Sequence, residues 1–183
     1  FNDQMTIINK DILEIDETSL CQNKVTVFGN LPYNISTEIL IKWIINLNDK
    51  IWFDCLILIF QKEVAERIVA KFNTSSYGRL SILANWKLDI KKICDIKPES
   101  FSPRPKIDSS LLFFSPKKNF FKFTNPYNLE KITRIFFSHR RKMIKNAYKQ
   151  LFFDNGVSTK LNIDLNLRPQ NLSFETYYRL TEE

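Results

Sequence analysis

Apolar residues along this chain recur first at strand spacing and later only at helix spacing. Residues 5–9 form a short apolar run ending in Lys10-Asp11, and residues 24–28 form a β-branched run that stops at Gly29-Asn30. Residues 36–45 carry apolar side chains at helical spacing, with Ser36 as the expected N-cap and Glu38 in the first turn. Residues 53–60 are almost continuously apolar, the pattern of a strand buried on both faces. Residues 61–72 predict a helix with Val64, Ile68 and Phe72 on one side, and residues 78–86 predict another. Residues 88–96 and 109–114 predict strands on either side of a proline-bearing loop, 97–106.

Strands alternating with helices imply an α/β sheet, mainly parallel, with its sites at the carboxyl ends of the strands. After Pro116 only helical patterns remain, at 128–138, 140–153 and 174–180. A boundary near residues 116–126 would divide the chain into an α/β part, 1–115, and a helical part, 116–183. No internal repeat is evident.

Charge sharpens this division. The net charge is +7. Residues 1–115 hold 14 Lys and Arg against 14 Asp and Glu, whereas residues 116–183 hold 13 against 6, so the whole excess lies in the helical part. A basic module beside a neutral one points to a polyanion, most simply nucleic acid. The chain is also rich in Ile, Asn, Lys and Phe, as AT-rich coding would make it, but coding bias alone would spread lysine evenly. The three cysteines, Cys21, Cys55 and Cys94, are odd in number and widely spaced. They argue against a disulfide framework or a zinc site, fit a reducing compartment such as the cytoplasm, and read as plain packing residues. No apolar run reaches the roughly 18 residues of a membrane helix.

The chemistry-bearing segment is Asn30-Leu31-Pro32-Tyr33, directly after the second strand. It offers an amide, a free carbonyl at Pro32 and an aromatic ring, the parts needed to hold an exocyclic amine on a stacked base. Two acceptors matter because an aromatic amine is a poor nucleophile: its lone pair is delocalised into the ring. Acceptors placed for a tetrahedral nitrogen favour localising that pair and stabilise the positive charge that develops during attack. The plainer reading of these four residues is a proline turn with Tyr33 in the core.

The longer pattern is more specific. Residues 30–36 read NLPYNIS, 61–67 read QKEVAER and 101–109 read FSPRPKIDS; residues 138–146 (SHRRKMIKN) and 167–172 (LRPQNL) extend the series. In this order and spacing they resemble the KsgA/Erm family of ribosomal RNA adenine methyltransferases, strongly from Met5 to about Pro116 and more weakly through the helical tail. The resemblance implies a Rossmann-like class I methyltransferase sheet followed by a small all-helical carboxyl-terminal domain. It also implies S-adenosylmethionine as methyl donor, no metal, and a monomer acting on the small ribosomal subunit.

By position, Asn30, Leu31, Pro32 and Tyr33 would form the catalytic loop, and Phe101 would stack on the target base opposite Tyr33. Asp11 would bond the amino group of the cofactor's adenine, with Asn30 beside it. Pro103 and Pro105 would stiffen the second loop, and Lys106 would lie near the cleft. Arg104, Lys106, Arg140, Arg141, Lys142, Lys145 and Lys149 would meet RNA, with Arg141, Lys145 and Lys149 making one stripe at helical spacing. Each has a duller alternative: Phe101 a core anchor, Asp11 a helix cap, the basic residues a solvated face. Lys62, Glu63 and Arg67 read as helix-surface ion pairs without chemistry. His139 is the only histidine, too few for a metal site or a triad.

The expected activity is dimethylation of two adjacent adenosines near the 3′ end of 16S rRNA during ribosome biogenesis. NLPY, in place of the NIPY expected of the antibiotic-resistance branch, favours the small-subunit enzymes over those acting on large-subunit RNA. The reading from another class is a non-catalytic RNA-binding or ribosome-assembly factor, against which the intact NLPY and FSPRPK loops weigh.

The chain has only Gly29, Gly78 and Gly156, none in a GxGxG loop, and no acidic residue placed for the cofactor's ribose. It opens on Phe1 and therefore reads as a fragment whose first sheet strands lie upstream. In the family strand order 3-2-1-4-5-7-6, residues 5–9 would be an edge strand and the sheet would be interrupted in its middle. This 183-residue chain alone is accordingly expected to be inactive and to bind S-adenosylmethionine poorly. Titration calorimetry on it should detect no micromolar binding; a micromolar isotherm would refute the expectation.

Overall fold

The computed structural model describes residues 5–21, 23–47 and 51–183. After a four-residue helix, α1 (Glu17–Leu20), the chain runs β1 (Val25–Asn30), α2 (Ser36–Asn46), β2 (Phe53–Gln61), α3 (Lys62–Ile68), α4 (Arg79–Lys87), β3 (Leu88–Ile96) and β4 (Ser109–Pro116). Four helices follow: α5 (Tyr127–Ser138), α6 (Lys145–Lys149), α7 (Gly156–Lys160) and α8 (Phe174–Glu182).

The sheet has the order β1-β2-β4-β3. This reproduces the 4-5-7-6 end of the family order. Three expectations fail here. Residues 5–9 form no strand, and Met5 and Ile7 are exposed (66% and 82%), because among the described residues no strand lies beside them to pair with. The sheet is therefore continuous, with β1 at its edge, rather than interrupted in its middle. Nor is it mainly parallel: β1 and β2 are parallel, but β4 runs antiparallel to both β2 and β3.

One face of the sheet carries the core. Leu56, Leu58 and Phe60 of β2 and Leu112 and Phe114 of β4 are wholly buried there. They pack with Ile39, Leu40, Trp43 and Ile44 of α2, whose i, i+1, i+4, i+5 spacing makes one helix face. Phe60 and Phe114 meet edge to face, ring centroids 6.2 Å apart. The other face is only partly covered: Cys55, Ile57 and Ile59 are half-buried and Phe28 of β1 is 75% exposed. Residues 53–60 thus bury one face fully, not two.

Several local expectations shift. Ser36 is the first helical residue rather than the cap, and its hydroxyl donates to the Tyr33 carbonyl at 3.2 Å. The helix expected over 61–72 stops at Ile68, leaving Phe72 half-exposed. Lys62 pairs with Asp95 across to β3 at 3.1 Å, whereas Glu63 and Arg67 pair along the helix. Cys94 is an exposed free thiol on β3 rather than a packing residue.

The carboxyl-terminal helices share one continuous core with the sheet's helices. Tyr178 donates to the Ile82 carbonyl of α4 at 3.0 Å, Trp86 Nε1 donates to the Phe121 carbonyl at 2.7 Å, and Arg79 pairs with Glu130. Tyr77 lies buried between Phe137 and Phe174, its hydroxyl without a hydrogen-bond partner among the described residues. Among those residues no helix is long and apolar enough to cross a membrane.

A buried lysine closes the end of α2. Lys87 is 3% exposed and donates to the carbonyls of Leu47 (2.6 Å) and Ile45 (3.3 Å), with its ammonium 3.8 Å from the centre of the Trp86 ring. These carbonyls lack intrahelical partners and carry the negative end of the helix dipole. Burial nevertheless pulls the Lys87 pKa down to about 8 from its ordinary 10.5. Between those values the unfolded chain holds a proton that the folded chain has lost, so stability rises with pH through this window. The urea midpoint of the wild type should therefore climb from pH 8 toward pH 10, and Lys87→Met should flatten that climb, by at most about 3 kcal/mol. Parallel pH profiles for the two proteins would rule out this role.

Candidate catalytic cleft and RNA-facing surface

β1 and β2 are parallel, pairing Asn30 with Ile59, and β2 and β4 are antiparallel, pairing Gln61 with Ser109. β3 pairs Ile96 with Ser109. The carboxyl ends of β1, β2 and β3 and the amino end of β4 therefore share one edge. The loop after β1 and the loop between β3 and β4 both emerge there. Together they enclose a cleft of about 280 Å³ lined by Asn30, Leu31, Pro32, Tyr33, Phe101, Ser102, Pro103 and Pro105. Residues from two motifs 71 positions apart at their first members, Asn30 and Phe101, thus form one site.

The first wall is a tight turn. Ile35 N–H donates to the Pro32 carbonyl at 3.1 Å, and the following helix begins at Ser36. The Pro32 carbonyl is therefore not free, against the expectation from the sequence; one of its two lone pairs is committed to the turn. A Cβ at neighbouring Gly29 would lie 2.7 Å from a Leu58 methyl, so a larger residue there would force that side chain to shift. Asn30 and Pro32 are exposed, whereas Leu31 and Tyr33 are half-buried. The Tyr33 hydroxyl meets Ser109 Oγ at 2.8 Å.

The second wall starts at a short 3-10 turn, Pro98–Ser100, in which Phe101 N–H donates to the Pro98 carbonyl at 3.2 Å. Phe101 is half-buried, so it is not a core anchor. Arg104 pairs with Glu99, and Lys97 pairs with Asp108 at 2.9 Å, which raises the Lys97 pKa. Lys106 is exposed on the same loop but does not line the cleft. Below it Asp95 is held well under the usual carboxylate range by bonds from Lys92, Ser110 and Lys62.

Asp11 lies apart from these walls. Its carboxylate accepts the Leu13 N–H at 2.9 Å, the geometry of a capping turn. The segment it begins is tied to α2, where Lys42 donates to the Ile12 carbonyl and pairs with Glu17, both at 2.8 Å.

The basic tail departs further from expectation. Of the helix expected over 140–153 only Lys145–Lys149 is helical, so Arg141 is not in a stripe with Lys145 and Lys149. Arg141, Lys142, Lys145 and Lys149 are nonetheless all exposed. Arg140 turns back to the Ser75 carbonyl and lines a groove of about 410 Å³ with Thr37, Arg67, Arg79 and Phe137. Sequence reading missed Arg67 and Arg79 as neighbours of Arg140, and Ser109 as the partner of Tyr33. Residues so far apart give no local signal of contact.

Among the described residues no group of His, Cys, Asp and Glu could hold a metal ion. Gly29, Gly78 and Gly156 stand singly in a strand, a helix cap and a helix, so no glycine-rich loop occurs among the described residues.

Comparison with known proteins gives a consistent answer. The profile of the family described as ribosomal RNA adenine dimethylase matches residues 1–183. A protein of Pelagibacter ubique named ribosomal RNA small subunit methyltransferase A is 63% identical; the match spans all of this chain and 70% of that protein. Its namesake in Ehrlichia ruminantium is 42% identical over 97% of this chain and 67% of its own length. Among solved structures, a dimethyladenosine transferase from Plasmodium falciparum superposes with a TM-score of 0.73 at 28% identity, over 85% of this chain and 65% of that one. The 23S rRNA methyltransferase ErmE shares the fold, with a TM-score of 0.62 at 16% identity over 96% of this chain and 70% of that one.

If the exposed tail cations meet phosphates, each releases counterions. Replacing Arg141, Lys142 and Lys145 together with alanine should lower RNA affinity and reduce the slope of log K against log salt by about 2 to 3. An unchanged slope would assign them to solvent alone. By profile, identity and cleft geometry together, the chain belongs to the ribosomal RNA adenine dimethylase family, whose members are S-adenosylmethionine-dependent enzymes.

Proposed function

We propose that this chain is the acceptor-binding and RNA-binding part of an enzyme that dimethylates the exocyclic amines of two adjacent adenosines near the 3′ end of 16S rRNA. The observation that carries this reading is the cleft, with Asn30 to Tyr33 on one wall and Phe101 on the other. S-adenosylmethionine, when bound, supplies an electrophilic methyl group. The chain's own residues act on the adenine. Tyr33 and Phe101 sandwich the flipped-out base. The Asn30 side-chain oxygen and the remaining lone pair of the Pro32 carbonyl accept the two N–H bonds of the amine. They draw its nitrogen toward tetrahedral geometry and stabilise the charge that develops as the N–C bond forms and the methyl's bond to the donor sulfur breaks, the sulfur leaving as a neutral thioether and the amine's extra proton passing to water afterwards. No side chain need remove a proton before attack. After the first transfer one N–H remains, and the open cleft can readmit the monomethylated base.

In this reading residues 1–115 belong to the methyltransferase domain, and residues 116–183 form a basic module that docks the small subunit. Arg104, Lys106 and the 140–149 cations would track phosphates, while Asp11 and Asn30 would face the cofactor's adenosine. The names of the Pelagibacter and Ehrlichia relatives favour small-subunit over large-subunit RNA. A cytoplasmic monomer acting on an assembling subunit fits this role.

The decisive variant is Asn30→Ala in the native-length enzyme. It should abolish methyl transfer while leaving RNA affinity within about threefold. Loss of both in equal measure would assign Asn30 to structure or RNA docking.

A further inference from the structure

The Tyr33 hydroxyl is engaged outside the stacking surface of the cleft, at 2.8 Å from Ser109 Oγ. Ser109 is wholly buried at the first position of β4, where the chain leaves the loop that carries Phe101. Tyr33 belongs to the turn after β1, and β2 lies between β1 and β4 in the sheet. No backbone ladder therefore joins the two loops directly. The Tyr33–Ser109 bond does, and it links the two walls of the cleft.

The two ends of this bond are not equally fixed. Ser109 is paired in register with Gln61 on one side and Ile96 on the other. Its neighbours are also tied: Lys62 N–H donates to the Asp108 carbonyl at 3.0 Å, and Ser110 Oγ donates to Asp95 at 2.6 Å. Tyr33, in contrast, is half-buried in a turn. Its ring turns about two side-chain torsions, and a change of the first would swing it to another staggered position.

We propose that Ser109 is a positioning residue that holds the Tyr33 ring in the rotamer that stacks on the target base. The inference rests on the adenine-methylation reading above. A bond at the far end of the ring restrains the first torsion, because any rotation about it moves the hydroxyl off Ser109, whereas the second turns the ring about its own axis and leaves the hydroxyl in place. The same bond commits the hydroxyl to the sheet, so Tyr33 offers its ring to the substrate and not a proton-transfer group. Ser109 touches no substrate; it acts through Tyr33 and sets the spacing between that ring and the Phe101 loop.

The test is single-turnover methyl transfer to small-subunit RNA by the native-length enzyme, with Ser109→Ala, Tyr33→Phe and the double variant. Each single change should slow transfer about three- to tenfold, the worth of one net hydrogen bond. The double variant should be no slower than the slower single, since both remove the same bond. RNA affinity should stay within twofold, and Ser109→Thr, which keeps a hydroxyl, should recover part of the rate. If Ser109→Ala folds poorly, Tyr33→Phe removes the bond from the accessible side, and a wild-type rate there overturns the proposal. So do a wild-type rate in Ser109→Ala, losses that multiply in the double variant, or a fall in RNA affinity that matches the fall in rate. Absence of transfer by the wild type would overturn the methylation reading and this role with it.

Discussion

Strand β4 runs against β2 in a register that sets Ser109 opposite Gln61 and Phe114 opposite Leu56. Side chains alternate along a strand, so a slip of one residue would turn Leu112 and Phe114 out of the core. The same slip would carry Ser109 away from Tyr33. Core packing and cleft geometry thus depend on one pairing. Burial of Leu56, Leu58, Phe60, Leu112 and Phe114 on a single face is what makes the register costly to change. The half-covered opposite face could not enforce it alone.

That pairing also explains why two loops distant in sequence line one cleft. The loop after β1 departs from the edge strand, and the Phe101 loop enters β4 two strands away. A four-stranded sheet holds these points at fixed separation, because neighbouring strands lie about 4.8 Å apart. The loops supply the chemistry and the sheet supplies the distance. The helical tail extends this rigidity through Tyr178, Trp86 and Arg79, which bind it to α4 and its flank. The cations at 141–149 are thereby carried on a body that shares one core with the sheet rather than on a loose appendage.

Much of the element pattern was legible from residue spacing. Strands β2, β3 and β4 and helices α2, α4, α5 and α8 lie within a few residues of where periodicity places them. The failures have physical causes. Residues 5–9 look like a strand, but a strand needs a partner, and among the described residues none lies beside them. Residues 140–153 contain enough apolar positions for a helix, yet Ile144 N–H and Lys145 N–H bond the Leu167 and Leu165 carbonyls instead. Tertiary hydrogen bonds there replace the helical ones that local spacing suggests.

For the site, the residue types from Asn30 to Tyr33 suited an exocyclic amine but also a plain proline turn, and it was the order and spacing of the longer motifs that pointed to the family. Charge placement alone put the chain's net positive charge in residues 116–183. These are local or compositional properties, and a chain carries them before it folds. What only the tertiary structure decided was adjacency. It placed Phe101 beside the Asn30 turn, gave the Tyr33 hydroxyl to Ser109, committed one lone pair of the Pro32 carbonyl to Ile35, and closed α2 with Lys87 from another helix. Except for the local Pro32 turn, these contacts join residues tens of positions apart. They exist because sheet register and shared burial bring them together, and neither can be read from any one segment.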